Sequence, residues 1–123
     1  MIKKVAIVFG VVFVLIGILG FVPGITTSDG LLLGIFNVNA VHNIVHLLSG
    51  IVALAAASSE KNSKMYFQIF GVVYALVAVL GFYYQGNEIL GLVASNMYDT
   101  YLHVLIALVA LYFGFASKEV ATV

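Results

Sequence analysis

The chain has 123 residues, of which 63% are hydrophobic and 8% are charged, and its formal net charge at pH 7 is zero. In soluble domains roughly a quarter of all residues are charged, so this composition excludes a water-soluble globule. A net charge of zero also gives no indication of a basic surface that could bind nucleic acid. The chain contains no cysteine, which excludes disulfides, thiolate metal sites and thiol redox sensing.

The apolar residues form four blocks in chain order, at residues 5–22, 40–57, 65–84 and 98–116. Each block is close to the roughly 20 residues that a helix needs to cross about 30 Å of hydrocarbon. We therefore predict an all-α fold, a bundle of four transmembrane helices that forms one membrane domain over residues 1–123 within a lipid bilayer. The first block could be a signal peptide, but no small-x-small cleavage pattern follows it, so we predict that it is retained.

The lysines predict the orientation of the bundle. They lie before the first block, between the second and third, and after the fourth, at Lys3, Lys4, Lys61, Lys64 and Lys118. Positively charged residues near membrane spans are retained in the cytoplasm. We therefore predict that both termini are cytoplasmic and that the loops after the first and third blocks lie on the outer side.

The two halves of the chain resemble each other. Residues 9–13 (FGVVF) match residues 70–74 (FGVVY), residues 33–35 (LGI) match residues 90–92 (LGL), and Asn39 and His46 match Asn96 and His103. Repeats of this kind are common in membrane folds. The matches predict two parallel-repeat helical hairpins, at residues 5–57 and 65–117, whose second and fourth spans are equivalent.

Polar residues recur at helical spacing on both of these equivalent spans, so each span should carry one polar face. The second span has Asn39, His42, Asn43, His46 and Ser49, and the fourth has Asn96, Asp99, Thr100 and His103. Asn39 and Asn96 suit the N-cap position, which places His46 and His103 about 10 Å below the outer helix ends. An ionisable group at that depth needs a partner or a water-filled cavity.

Three interpretations of these polar residues stay open. In the first, the imidazoles hydrogen-bond to one another, to neighbouring asparagines or to trapped water, and so specify how the second and fourth spans dock. In the second, they bind a metal ion, or His46 and His103 ligate a haem, although the small residues of the spans indicate tight packing without room for a macrocycle. In the third, an oligomer of the chain forms a proton or small-solute path.

The metal interpretation rests on a defined donor set. His-x-x-x-His facing Asp-x-x-x-His supplies nitrogen and oxygen ligands that suit Zn, Cu or Fe. The candidate ligands are His42, His46, Asp99 and His103, and the polar residues expected around them are Asn39, Asn43, Ser49, Asn96 and Thr100. For Asp99 an equal alternative is a first-turn acid that accepts from free N–H groups. Since no nucleophile has a base and acid partner, the sequence favours a non-enzymatic role.

One pattern points to a family. The first span ends in GFVPG at residues 20–24, residues 33–50 read LGIFNVNAVHNIVHLLSG, and one later histidine follows at position 103. The chain resembles the bacterial four-helix membrane proteins catalogued as domain of unknown function 4383, over nearly its whole length. This resemblance implies a bacterial inner-membrane location and brings no known activity. We expect an interaction or accessory component, as a homo-oligomer or with a membrane protein partner, with metal or haem binding as the alternative.

Overall fold

The computed structural model describes residues 1–116, so Lys118 and the last residue of the second predicted repeat lie outside the described part of the chain. Within it are four α-helices, α1 (Ile2–Leu19), α2 (Ala40–Ala56), α3 (Glu60–Tyr84) and α4 (Met97–Leu111), and α4 continues into a π-helical turn at Tyr112–Ala116. The all-α prediction is confirmed.

Three helical segments of the described chain are long and apolar enough to cross a membrane, namely Ile2–Leu19, Glu60–Tyr84 and Met97–Ala116. The helix α2 is also apolar but has only 17 residues, which corresponds to about 26 Å along its axis. Length and composition therefore indicate a membrane protein.

The structure starts α3 five residues earlier than the apolar block that predicted it. The side chain of Ser59 accepts a hydrogen bond from the backbone N–H of Asn62, and Glu60 lies in the first turn. A serine N-cap followed by an acid satisfies and complements the free N–H groups of a helix start. Lys61 and Lys64 therefore lie in the first turns of α3, and only residues 57–59 connect it to α2.

Apolar side chains cover the outer surface of the helices, unlike in a soluble protein, and several polar side chains are buried. Large apolar side chains such as Leu48, Ile69 and Leu105 are 58–60% exposed. In contrast, His42, Asp99 and other polar side chains of α2 and α4 are buried. Hydrocarbon around the helices and polar groups inside the bundle account for this pattern.

The helices pack as two close pairs, α1 with α2 and α3 with α4. Glycines make the close approach possible: a Cβ atom on Gly10 would lie 2.7 Å from Leu54 Cγ, and one on Gly71 would lie 2.9 Å from Leu111 Cδ2. A larger side chain at either position would have to push the partner helix away. The tight packing that the small residues of the spans predict is confirmed at these positions, and we call the two close contacts the α1–α2 and α3–α4 seams.

Two long loops lie together at one end of the bundle. The loop between α1 and α2 contains a short antiparallel hairpin of β1 (Leu31–Leu32) and β2 (Phe36–Asn37). The loop between α3 and α4 reaches it through a hydrogen bond from Asn37 Nδ2 to the carbonyl oxygen of Ser95, at 3.5 Å. The short connection after α2 lies at the other end.

Candidate metal centre

Three histidine side chains converge inside the bundle. His42 and His46 come from successive turns of α2 and His103 comes from α4, and one ring nitrogen of each lies within 4.8 Å of the others. The ring centroids of His42 and His46 are 4.3 Å apart, and those of His42 and His103 are 5.8 Å apart. The three residues are 2%, 7% and 4% exposed, respectively. Three potential ligands are thus held together away from bulk solvent.

The ring of His42 is anchored by both long loops. Its Nδ1 atom lies 2.7 Å from the carbonyl oxygen of Ala94 and 3.2 Å from that of Asn37. Because a carbonyl oxygen only accepts, Nδ1 must carry the proton. The lone pair of neutral His42 is therefore on Nε2, which leaves that atom available as a ligand.

The other two histidines have ring nitrogens without a partner. Nδ1 of His46 and Nδ1 of His103 are buried and make no hydrogen bond among residues 1–116. A buried polar atom without a partner costs about 1–3 kcal/mol. A metal cation or a water molecule could satisfy these nitrogens.

Aromatic rings pack directly against the same two imidazoles. Phe13 of α1 meets His46 edge to face with ring centroids 5.5 Å apart, and Tyr74 of α3 stacks on His103 at 5.2 Å. Tyr74 is 3% exposed, and its hydroxyl is a further buried polar atom without a hydrogen bond in the described chain. Tyr74 is not among the residues predicted from the sequence, although it stands at the position that Phe13 has in the matching segment.

Asp99 does not join the group of converging ring nitrogens. Its Oδ2 atom accepts hydrogen bonds from the backbone N–H groups of Asn96 and Asn37, each at 3.0 Å. The side chain of Asn96 accepts in return from the backbone N–H of Asp99, at 2.9 Å. This is a capping box, which is the first-turn role that the sequence offers for Asp99 as the alternative to ligation.

Two asparagines interlock the loops above the histidines. Asn39 and Asn96 are the N-caps of α2 and α4, as predicted. Asn39 Nδ2 donates to the carbonyl oxygen of Leu92 at 3.0 Å, and Asn96 Nδ2 donates to that of Ile35 at 2.7 Å. Each cap therefore also holds the loop of the opposite hairpin.

The remaining polar residues of the predicted set have other contacts. Asn43 and Thr100 lie in the α1–α2 and α3–α4 seams, where a Cβ atom on Gly20 or Gly81 would overlap their side chains. The carbonyl oxygen of Ser49 accepts from the hydroxyl of Tyr66 at 2.9 Å. These contacts with neighbouring helices serve helix packing.

The space around the histidines does not suit a macrocycle. The rings of Phe13 and Tyr74 pack against the imidazoles of His46 and His103, with centroids 5.5 Å and 5.2 Å away, and fill the space beside them. A groove of about 630 Å³ runs between α2 and α3, but its lining includes Ser49 and Tyr66 and none of the three histidines. The packing favours a single ion over haem.

Comparison with known proteins identifies a family for the chain, and the description of that family gives no activity. No curated protein and no solved structure matches the chain. A family model described as "Domain of unknown function (DUF4383)" matches residues 3–116. This match covers nearly the whole chain, and the chain belongs to the domain of unknown function 4383 family.

Proposed function

We propose that this protein is a small multi-pass membrane protein that binds one metal ion through His42, His46 and His103. The observation that carries the proposal is the convergence of three buried imidazoles, two of which have an unpaired ring nitrogen. Nitrogen donors of this kind suit Zn, Cu or Fe. Metal ions satisfy such nitrogens directly, because neutral imidazole is the ligating form.

The spacing of the donors is compatible with this role. Zn–N bonds are about 2.0–2.1 Å long, so ligands at tetrahedral angles are about 3.4 Å apart. The three nitrogens lie within 4.8 Å of one another, and ring rotations that move each atom by about 1 Å would bring them into coordination range.

We also propose that the chain is built from two parallel repeats and crosses the membrane four times. Reciprocal hydrogen bonds support a pseudo-twofold axis: Asn39 donates to Leu92 as Asn96 donates to Ile35. Backbone geometry agrees, because Leu33 and Leu90 have positive φ angles of 55° and 54°. Positive φ is uncommon for leucine, so its occurrence at matching positions is a specific likeness.

The charges support the proposed orientation. The lysines of the first turns of α1 and α3 lie at the end of the bundle opposite the two long loops. With that end in the cytoplasm, the histidines lie toward the outer side of a bacterial inner membrane, beneath the interlocked loops.

A second candidate function is helix docking in an accessory component that acts as a homo-oligomer or with a membrane protein partner. It is favoured by the two carbonyl contacts of His42, which tie α2 to both loops. In this role the unpaired nitrogens of His46 and His103 would bind water. The two functions differ in whether purified protein retains stoichiometric metal.

The deciding experiment is elemental analysis of the detergent-purified chain from cells grown with ample Fe, Zn and Cu. We expect close to one metal ion per chain, and its loss in His46→Ala/His103→Ala. The matched control is Ser49→Ala/Tyr101→Phe, which changes the same two helices outside the cluster and should keep the metal. Absence of metal in the unmodified chain, with the fold intact by circular dichroism, would refute the metal function and leave docking.

A further inference from the structure

We infer that the ion held by the three histidines is monovalent copper, Cu(I), in preference to a divalent ion such as Zn(II). This inference rests on the proposed metal-binding function and specifies its ligand. It follows from the charge of the donor set, the burial of the site and the number of protein ligands.

The donor set brings no negative charge to the ion. His42, His46 and His103 are neutral when they ligate, and the chain has no cysteine. The nearby carboxylate of Asp99 already accepts two backbone N–H groups through Oδ2 and does not join the cluster. The bound complex would therefore keep the full charge of the ion.

Because the site is buried, the charge of the ion strongly affects the free energy of placing it there. The three histidines are at most 7% exposed, and the rings of Phe13 and Tyr74 pack against two of them. The cost of placing an ion in such a low-dielectric site rises with the square of its charge, so a divalent ion costs about four times as much as a monovalent one. This difference favours Cu(I) over Zn(II).

The number of ligands points to the same ion. Zn(II) in proteins is almost always four-coordinate, and here it would have to bring a fourth ligand, preferably an anion such as hydroxide, into an enclosed site. Cu(I) has a filled d shell and accepts a trigonal arrangement of three ligands. Three nitrogens from two helices, within 4.8 Å of one another, can supply that arrangement without a fourth group.

Hard monovalent cations do not fit the same donors. Sodium and potassium ions prefer oxygen ligands, whereas imidazole nitrogen suits copper. The two loop carbonyl oxygens that contact the cluster, those of Asn37 and Ala94, already accept from Nδ1 of His42. Copper(I) is therefore the monovalent ion that matches the available atoms.

The test is a competition titration on the full chain, purified metal-free in detergent. Cu(I) is supplied anaerobically with ascorbate and a chromophoric Cu(I) chelator, and Zn(II) is supplied separately with a chromophoric Zn(II) chelator. We expect one Cu(I) per chain, bound ~100-fold or more tightly than Zn(II). X-ray absorption at the copper edge should show three nitrogen neighbours in the unmodified protein.

Variants separate ligation from folding. His103→Ala should lose Cu(I), and Ser49→Ala should not. His103→Met replaces a nitrogen donor by a thioether, which is a soft ligand that selects Cu(I). This variant should retain Cu(I) within about tenfold while its Zn(II) binding falls further, a reversal that general damage to the fold would not produce.

Each outcome has a separate meaning. Stoichiometric Zn(II) binding that depends on the histidines and equals or exceeds Cu(I) binding would overturn the copper inference and leave the metal function standing. Binding of neither ion by folded protein would overturn both. Cu(I) binding that survives loss of both His46 and His103 would show that copper lies elsewhere and would also overturn the inference.

Discussion

Replacement of Asp99 tests how the cluster is held in place. Its carboxylate accepts two backbone N–H groups, from Asn96 in the cap of α4 and from Asn37 in the opposite loop. Hydrogen bonds to charged groups are worth about 1.5–3 kcal/mol each. Since Asp99→Ala would leave both donors unpaired, we expect the free energy of unfolding to fall by about 3–6 kcal/mol.

The effect should extend to the proposed metal site through one residue. Asn37 donates its N–H to Asp99 and places its carbonyl oxygen 3.2 Å from Nδ1 of His42. Loss of the carboxylate should therefore loosen the loop that orients His42. Loss of a contact that orients a metal ligand typically lowers metal affinity by about 10–100-fold. The number of ions bound per chain should stay the same.

The assay is reversible unfolding in mixed micelles followed by circular dichroism, with metal titration of the same samples. Asp29→Ala is the matched control, because this fully exposed carboxylate bonds to Thr27 in its own loop. We expect the control to change the free energy of unfolding by less than ~0.5 kcal/mol. If Asp99→Ala behaves like the control, the capping box does not stabilise the fold; complete loss of metal with unchanged stability would make Asp99 a ligand.

Three further predictions concern packing, a loop carboxylate and topology. Gly10→Ala should lower the free energy of unfolding by about 1–3 kcal/mol, because its Cβ atom would lie 2.8 Å from a backbone oxygen of α2; unchanged denaturant unfolding would contradict the observed seam. The hydrogen bond from Thr27 lowers the pKa of Asp29 below the usual 3.8, so Thr27→Val should raise that pKa in an NMR titration, and an unchanged pKa would exclude the bond as its cause. Any stability that this depressed pKa contributes is present at pH values above the pKa of Asp29 in the unfolded chain. It is lost as the pH falls through the pKa of Asp29 in the folded chain. In the cysteine-free chain, Ser28→Cys should react with an impermeant maleimide in spheroplasts and Asn62→Cys only after lysis; the opposite result would reverse the proposed orientation.

Features that depend on local sequence were predicted well. The helices follow from long apolar runs, and the N-caps Asn39 and Asn96 follow from a side chain that bonds three residues ahead. Spacing of four residues also places His42 and His46 on one face of α2. These properties involve neighbours in the chain, so composition and spacing determine them.

Other features were decided only by the tertiary structure. The tautomer of His42 depends on a carbonyl oxygen 52 positions away in sequence. Because every residue type has a backbone carbonyl group, the sequence does not indicate this contact. For Asp99 the sequence predicted ligation and capping equally. The second N–H donor to its carboxylate, from Asn37, comes from a loop 62 positions away and is visible only in the structure. The stacking of Tyr74 on His103 arises between helices. The sequence by itself determined which residues are polar and which helix face carries them, and long-range packing decided which atoms those residues meet.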